Sequence, residues 1–185
     1  METPPYKNMT CASKSDQATI SLGWAARTMP CPDRSHLRRL ANVWIRSPLY
    51  FLTACTRERR PVLIQADIPK VLIEAWQASP DINGWVIGRY VIMPDHVHFF
   101  TRPQPDSKPL GAFVRDWKKW TARRITTSLA VNPPVWQPEF FDHILRSAGS
   151  YSEKWEYVRQ NPVRAGLAAT PDAWPYSGEC EKLPF

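Results

Sequence analysis

Trp85-Val-Ile-Gly-Arg-Tyr-Val-Ile-Met93 runs into Pro94-Asp95, and His96-Val-His-Phe-Phe-Thr101 follows at once. Both runs are rich in β-branched and aromatic residues, and a Pro-Asp turn separates them. They predict two strands, 85–93 and 96–101, paired with each other. In a strand, residues two apart point to the same face. Val97 therefore turns into a core, while His96 and His98 share the opposite side, at the start of a strand where a site can open. Two imidazoles so placed can meet one metal ion. On spacing alone they also read as two half-buried histidines bonded to backbone carbonyls.

Upstream, Leu49–Ala54 reads as a strand and Ile68–Ala78 as a helix, with Val71, Leu72, Ala75 and Trp76 on one stripe. Pro80, Asp81, Asn83 and Gly84 make a turn. Downstream, a proline-rich loop at 103–109 leads into an amphipathic helix, Leu110–Leu129. Phe113, Trp117 and Trp120 supply its buried stripe, and Arg115, Lys118, Lys119, Arg123 and Arg124 a basic flank. Pro133 and Pro134 end it. Residues 136–146 are irregular or a short strand, Ser150–Gln160 is a helix that Pro162 stops, and the tail from Pro171 is loop-like. The order strand, helix, strand, strand, helix, strand, helix predicts an α+β fold. It is consistent with a ferredoxin-like antiparallel sheet with helices on one face.

The chain has 185 residues, 43% of them hydrophobic, enough for one compact domain without disulfide staples. The expected layout is an N-terminal basic arm at 1–40, partly disordered, then a domain at 41–178 and a short tail at 179–185. His36, Arg38 and Arg39 lie where the arm meets the domain, and could reach a polyanion. A net charge of +7 and a pI of about 9.4 favour nucleic acid or an anionic membrane surface as partner. Nine tryptophans either fill the core or stack on unpaired bases. Cys11, Cys31, Cys55 and Cys180 form no Cys-x-x-Cys pair, so neither a zinc knuckle nor a redox motif is visible. With no apolar run long enough to cross a bilayer and no signal-peptide pattern, a cytoplasmic location is expected.

The helix over 150–160 holds two tyrosines in different settings. At roughly 100° per residue, Tyr151, Trp155 and Val158 share one stripe, and Tyr157 falls about 120° from its centre. Asn161 lies one turn beyond Tyr157 on the same side. Tyr151 thus reads as structural, while Tyr157 can face a site.

Met93-Pro94-Asp95-His96-Val97-His98-Phe99-Phe100, followed about sixty residues later by Tyr157-Val-Arg-Gln-Asn161-Pro162-Val163-Arg164-Ala165-Gly166-Leu167, resembles the REP-associated tyrosine transposases. These are HUH-type, single-tyrosine enzymes related to the transposases of small insertion sequences. The similarity spans roughly Leu40 to Ser177, and includes Tyr50-Phe51 and Trp136-Gln137-Pro138. It implies that His96 and His98 are metal ligands and that Tyr157 is the nucleophile. It also implies that Asn161 is a third ligand, although an Asn before Pro at a helix end also reads as a cap. The implied ion is Mg²⁺ or Mn²⁺, while imidazoles leave Zn²⁺ or Ni²⁺ open. The implied partner is single-stranded or hairpin DNA of REP type, with no membrane, bound by a monomer or homodimer. DNA-binding candidates are Lys118, Lys119, Arg123 and Arg124, with Arg146 and Arg164 nearer the site. Any single one of them also reads as part of a solvated face. His143 reads as structural, or as support behind the ligands.

The implied activity is cleavage and rejoining of single-stranded DNA through a 5′-phosphotyrosine. No G-x-x-x-x-G-K-[ST] loop is present, which agrees with an ATP-independent reaction. A hairpin binder that does not cut and a replication or conjugation nickase are the alternatives. The first has no need of the histidines and tyrosine, and many relaxases put the tyrosine before the histidines.

Overall fold

The chain was analysed as a computed structural model that describes residues 48–184. The arm assigned to 1–40, with His36, Arg38 and Arg39, and the domain start near Val43 lie outside the described residues. Five antiparallel strands form one sheet in the order β4-β1-β3-β2-β5. They are β1 (Leu49–Cys55), β2 (Trp85–Ile92), β3 (His96–Pro103), β4 (Phe141–Leu145) and β5 (Ser177–Glu179). α1 (Ile68–Gln77) carries the chain from β1 to β2, and α3 (Leu110–Leu129) from β3 to β4. Each crossover skips one strand, as the split βαβ of a ferredoxin-like sheet requires. The expected α+β antiparallel fold is thus present.

Strand alternation feeds two cores. On one face Tyr50, Leu52, Ala54, Val97 and Phe99 pack with Trp76 of α1 and with Phe113, Trp117 and Ile125 of α3. Trp76 is fully buried and stacks on Trp117 at 5.9 Å, with Phe99 and Tyr90 also against it. α4 (Ala148–Arg159) adds a layer on the opposite face, where Leu49, Phe51, Val91 and Phe100 meet Val158, Tyr151 and Trp155. Tyr151, Trp155 and Val158 thus pack inward, as their spacing predicts. α3 departs from its predicted stripe. The buried positions are Phe113, Trp117, Thr121 and Ile125, a drifting i, i+4 row, with Val114 and Lys118 beside it. Trp120 falls off the edge of that row, is 40% exposed, and has Arg124 over its ring at 5.3 Å.

Two local devices were not visible in the sequence patterns. Between Ile87 and Tyr90 the β2–β3 register shifts, so Gly88 and Arg89 together oppose Phe100. The bulge flips the parity of β2, which lets Trp85 and Ile87 before it and Tyr90 and Ile92 after it all face the same core. β5 pairs with the β2 edge through Gly178, opposite Tyr90. A Cβ on Gly178 would lie 2.6 Å from the Tyr90 hydroxyl, so the edge is closed by a residue with no side chain. The turn after α1 is also more regular than predicted. Ser79–Asn83 form a short helix, α2, which Gly84 ends at φ 73°.

The aromatic stack centred on Trp76 is the densest part of the first core. Trp76→Ala is expected to cost about 3–5 kcal/mol by removing a large buried side chain. Urea denaturation should register this as a lower midpoint with the slope unchanged. A loss below about 1 kcal/mol would mean the stack is not holding α1 to the sheet.

Candidate active site

β3 lies between β1 and β2, and His98 is paired with Thr53 on one side and Val91 on the other. The even residues of β3, His96, His98 and Phe100, point away from the Trp76 core and toward the α4 face. His96 and His98 come together with ring centroids 4.7 Å apart and planes 84° from each other. Each ring has one nitrogen engaged. His96 Nδ1 lies 2.6 Å from Asp95 Oδ1, and Arg59 Nε holds the other carboxylate oxygen at 2.9 Å. His98 Nδ1 lies 2.8 Å from Thr53 Oγ1, and its ring stacks on Phe51 at 5.5 Å. A carboxylate on Nδ1 fixes an imidazole's tautomer and leaves Nε2 as the free lone pair. His96 has that arrangement, and His98 can reach it by donating from Nδ1 to the Thr53 hydroxyl.

His98 keeps an edge open to solvent but is desolvated by the packing around it, which holds its pKa well below 6.5. Positive neighbours push the same way: His96, Arg59, Lys154 and Arg164. A neutral imidazole is the form that binds metal.

α4 brings Tyr157 to the same face. Its ring is 44% exposed, in contrast to Tyr151, which sits edge-on against Phe100 at 4.8 Å. The short helix α5 (Asn161–Arg164) follows after one residue, and Pro162 fits because it lies in a first turn. Arg164 lies over the Tyr157 ring, its Cζ 4.2 Å from the centroid. Its Nη2 donates to the Tyr157 carbonyl at 2.6 Å and also to Asn161 Oδ1. Asn161 is therefore the first residue of a new helix rather than a left-handed cap. Lys154, one turn before Tyr157, was not singled out in the sequence. Its Nζ sits 5.4 Å from the Phe51 centroid and 5.8 Å from that of Tyr157, so it lies between the tyrosine and β1, the strand paired with the histidine strand. The i, i−3 spacing from Tyr157 was the available signal.

Two imidazole nitrogens and one amide oxygen are a mixed donor set that suits a divalent cation. No cluster of three or more His, Cys, Asp or Glu side chains that could hold a metal ion exists among the described residues. His143 pairs with Phe51 across β1 and β4, and so lies on the histidine face, exposed and one strand further out.

The basic residues of α3 are elsewhere. α3 covers the opposite face of the sheet, so Lys119, Arg123 and Arg124 are separated from Tyr157 by the sheet itself. Arg115, Lys119 and Arg123 line a groove of about 530 Å³ between α3 and residues 133–140. Arg124 points toward Glu74 at 3.8 Å, and Arg146 is exposed just before α4. Lys118 departs from its sequence reading. It is buried, and its Nζ donates to the carbonyls of Gln137 at 2.8 Å, Pro138 at 3.3 Å and Glu139 at 2.7 Å. An ammonium has three hydrogens, and here they tie down the loop instead of meeting a phosphate.

A family model described as "Transposase IS200 like" matches residues 47–161, more than half of the chain. The chain belongs to the IS200-like transposase family. A REP-associated tyrosine transposase of Escherichia coli (strain K12) is 27% identical over 139 residues, covering 72% of this chain and 78% of that protein. A protein of Haemophilus influenzae named as a putative REP-associated tyrosine transposase is 20% identical, over 70% of this chain and 78% of its own length. The structure of a REP-associated tyrosine transposase bound to a REP hairpin shares the fold, with a TM-score of 0.62 and 23% identity, over 76% of this chain and 82% of that one. The resemblance read from the two motifs is thereby borne out. No helix among the described residues is long and apolar enough to cross a membrane. Cys55 and Cys180 form no disulfide with each other, and burial with Glu181 nearby pushes the Cys180 thiol up to about 11.

Two predictions follow from this IS200-like site. Lys118→Met leaves the loop carbonyls without their charged donor and should cost about 1–3 kcal/mol. Lys119→Met, on the exposed flank, should stay within about 0.5 kcal/mol of wild type. Parallel urea titrations distinguish them, and equal effects would refute the buried role of Lys118. The second concerns pH. Unfolded His98 takes a proton near pH 6.5, which the folded chain does not take until lower pH. Its contribution is present above about 6.5 and is lost as pH falls. Thermal midpoints of the metal-free protein from pH 7.5 to 5.5 should therefore fall less steeply for His98→Asn than for wild type. Identical slopes would mean that His98 titrates alike in both states.

Proposed function

We propose that this IS200-like transposase cuts and rejoins single-stranded DNA beside hairpins, with Tyr157 as nucleophile. The observation that carries the reading is the placement of one half-exposed tyrosine on the sheet face that holds the two paired imidazoles. Tyr151, six residues earlier on the same helix, is packed against Phe100 and has no such access.

His96 and His98, through Nε2, and Asn161, through Oδ1, would hold a divalent cation, Mg²⁺ or Mn²⁺. Bound there, it would polarise the scissile phosphate and neutralise the charge that gathers in the transition state. The chain's own residues do the rest. Tyr157 Oη attacks phosphorus and gives up its proton. The bond from phosphorus to the 3′ oxygen breaks, and that oxygen leaves as a 3′ hydroxyl. The 5′ side stays joined to Tyr157, so the energy of the phosphodiester is conserved and a later 3′ hydroxyl can reseal it. Arg164 lets go of Asn161 Oδ1 when that oxygen is needed as a ligand, and its guanidinium is then free for a phosphate oxygen. The basic groove of α3 holds a different stretch of the nucleic acid, on the far face. Hairpin DNA is the partner because a REP-associated relative of the same fold carries a REP hairpin.

The test is a covalent adduct. Wild-type protein, a hairpin oligonucleotide with a single-stranded flank, and Mg²⁺ or Mn²⁺ should give a protein–DNA species that survives denaturing electrophoresis. Tyr157→Phe should give none, with hairpin affinity within about threefold of wild type, since one hydroxyl contributes little to binding a polyanion. An adduct formed by Tyr157→Phe overturns the assignment. Tight binding by the wild type with no adduct under any metal turns the protein into a hairpin binder.

A further inference from the structure

Lys154 lies outside the two motif stretches, 93–100 and 157–167. It stands on α4 one turn before Tyr157, and its ammonium lies between two rings, 5.4 Å from the Phe51 centroid and 5.8 Å from that of Tyr157. Phe51 is the ring on which His98 stacks. The charge is thus held at the seam between the imidazoles and the tyrosine. It forms no ion pair with any described residue. Glu156, on the same helix, turns to Arg159 at 3.5 Å and Gln160 at 3.2 Å. Arg164, the other cation on the Tyr157 ring, also lacks an anion, because both of its partners there are neutral oxygens.

Two unneutralised cations on one tyrosine ring repel each other unless an anion lies between them. A lysine that merely covers Phe51 with its stem would gain by turning its head group out to water. Lys154 instead keeps the ammonium over the aromatic faces. The two cations also differ in kind. Arg164 offers a planar fork already engaged by oxygens, whereas Lys154 offers a point charge on a flexible stem that can follow a moving phosphate.

We propose that Lys154 is a second phosphate-binding residue of the site, taking a non-bridging oxygen of the phosphate that Tyr157 attacks. The assignment rests on Tyr157 as nucleophile. Lys154 takes no part in proton transfer. It binds the phosphodiester before attack, while the Tyr157 Oη–phosphorus bond forms and the bond to the 3′ oxygen breaks, and it stays on the phosphotyrosine afterwards. Its contribution grows as negative charge gathers on the non-bridging oxygens, so it acts on the rate as well as on affinity.

The test uses the full-length chain and a REP-type hairpin oligonucleotide with a single-stranded flank, in Mn²⁺. In single-turnover cleavage, Lys154→Gln should be slower by about 10–100-fold, the loss expected for one charged hydrogen bond. Lys154→Arg should recover to within about fivefold, since it restores the charge. Thermal midpoints of both should stay within about 2 °C of wild type, as for other surface changes. A binding measurement ties the effect to one phosphate. In a Tyr157→Phe background, replacing the scissile phosphate by an uncharged methylphosphonate should weaken binding about tenfold with Lys154 present, and no more than about twofold with Lys154→Gln. An adduct formed by wild type at a rate that Lys154→Gln matches overturns the role of Lys154 and leaves that of Tyr157 standing. Equal methylphosphonate penalties in the two backgrounds do the same. No adduct from wild type overturns the tyrosine reading, and this assignment with it.

Discussion

β3 has to serve two cores at once, and the rest of the structure depends on how it does so. Val97 and Phe99 are buried against α1 and α3, while Phe100 is buried against α4. His96 and His98 occupy the second face at the end of the strand, where the apolar layer of Leu49, Phe51 and Phe100 runs out. A one-residue slip of β3 would exchange the two sets. It would put imidazoles beside Trp76 and leave Val97 and Phe99 on the site face. Each buried aromatic is worth about 1.5–3 kcal/mol, so the packing of Phe99 with Trp76, Trp117 and Phe113 holds the register in which the two histidines meet. The bulge in β2 belongs to the same arrangement, since it keeps Trp85 and Ile87 in line with Tyr90 and Ile92 while the strand stays paired with β3.

Orientation within that register comes from polar groups at the edge of the core. Asp95 is buried, receives Arg59 on one oxygen and faces His96 on the other. A buried carboxylate without such a partner would cost several kcal/mol, and Arg59 supplies that partner behind the imidazole. On the neighbouring ring the work is done by a hydroxyl, Thr53, on the strand paired with His98. The two histidines are thus held by unequal partners, a carboxylate and an alcohol. Of the two, His98 is the one whose charge is suppressed by its surroundings.

Much of this was legible in the sequence, because period and parity are local properties. The alternation over 96–101 gave the face shared by His96 and His98, and the helical period over 150–160 separated Tyr157 from Tyr151. What was hidden depends on long-range partners. Lys118 and Lys119 are adjacent basic residues on one helix, and only the return of the 137–139 loop makes the first a buried donor to carbonyls. Trp120 fits the predicted stripe by spacing, but the axis of α3 crosses the sheet so that the buried row drifts away from it. β5 is three residues, Ser-Gly-Glu, with no strand propensity of their own; its existence comes from the open edge of β2. Lys154 had only its i, i−3 spacing from Tyr157 as a signal, and its place becomes clear once Phe51 is brought beneath it.

The net charge of +7, read from composition, favours a polyanionic partner but does not say where the charge lies. The fold divides it. Arg164 and Lys154 stand at Tyr157 on one face, and Arg115, Lys119 and Arg123 line a groove on the other. A sheet with a helical layer on each side sets the two groups more than about 10 Å apart. At physiological salt the Debye length is about 8 Å, so neither group contributes much to the potential at the other. The groove cannot help to neutralise a phosphate at Tyr157; it can act only on another part of the same polyanion. Its wall, residues 133–140, is tied to the end of β1 through Arg57 and Gln137, and Cys55 at that end is paired with His96. The end of the sheet at Cys55 and His96 is therefore the short way between the two basic regions. On the proposed function, affinity from the α3 groove and chemistry at Tyr157 are then separable by substitution, and a strand that engages both has to turn around the sheet at the histidine end.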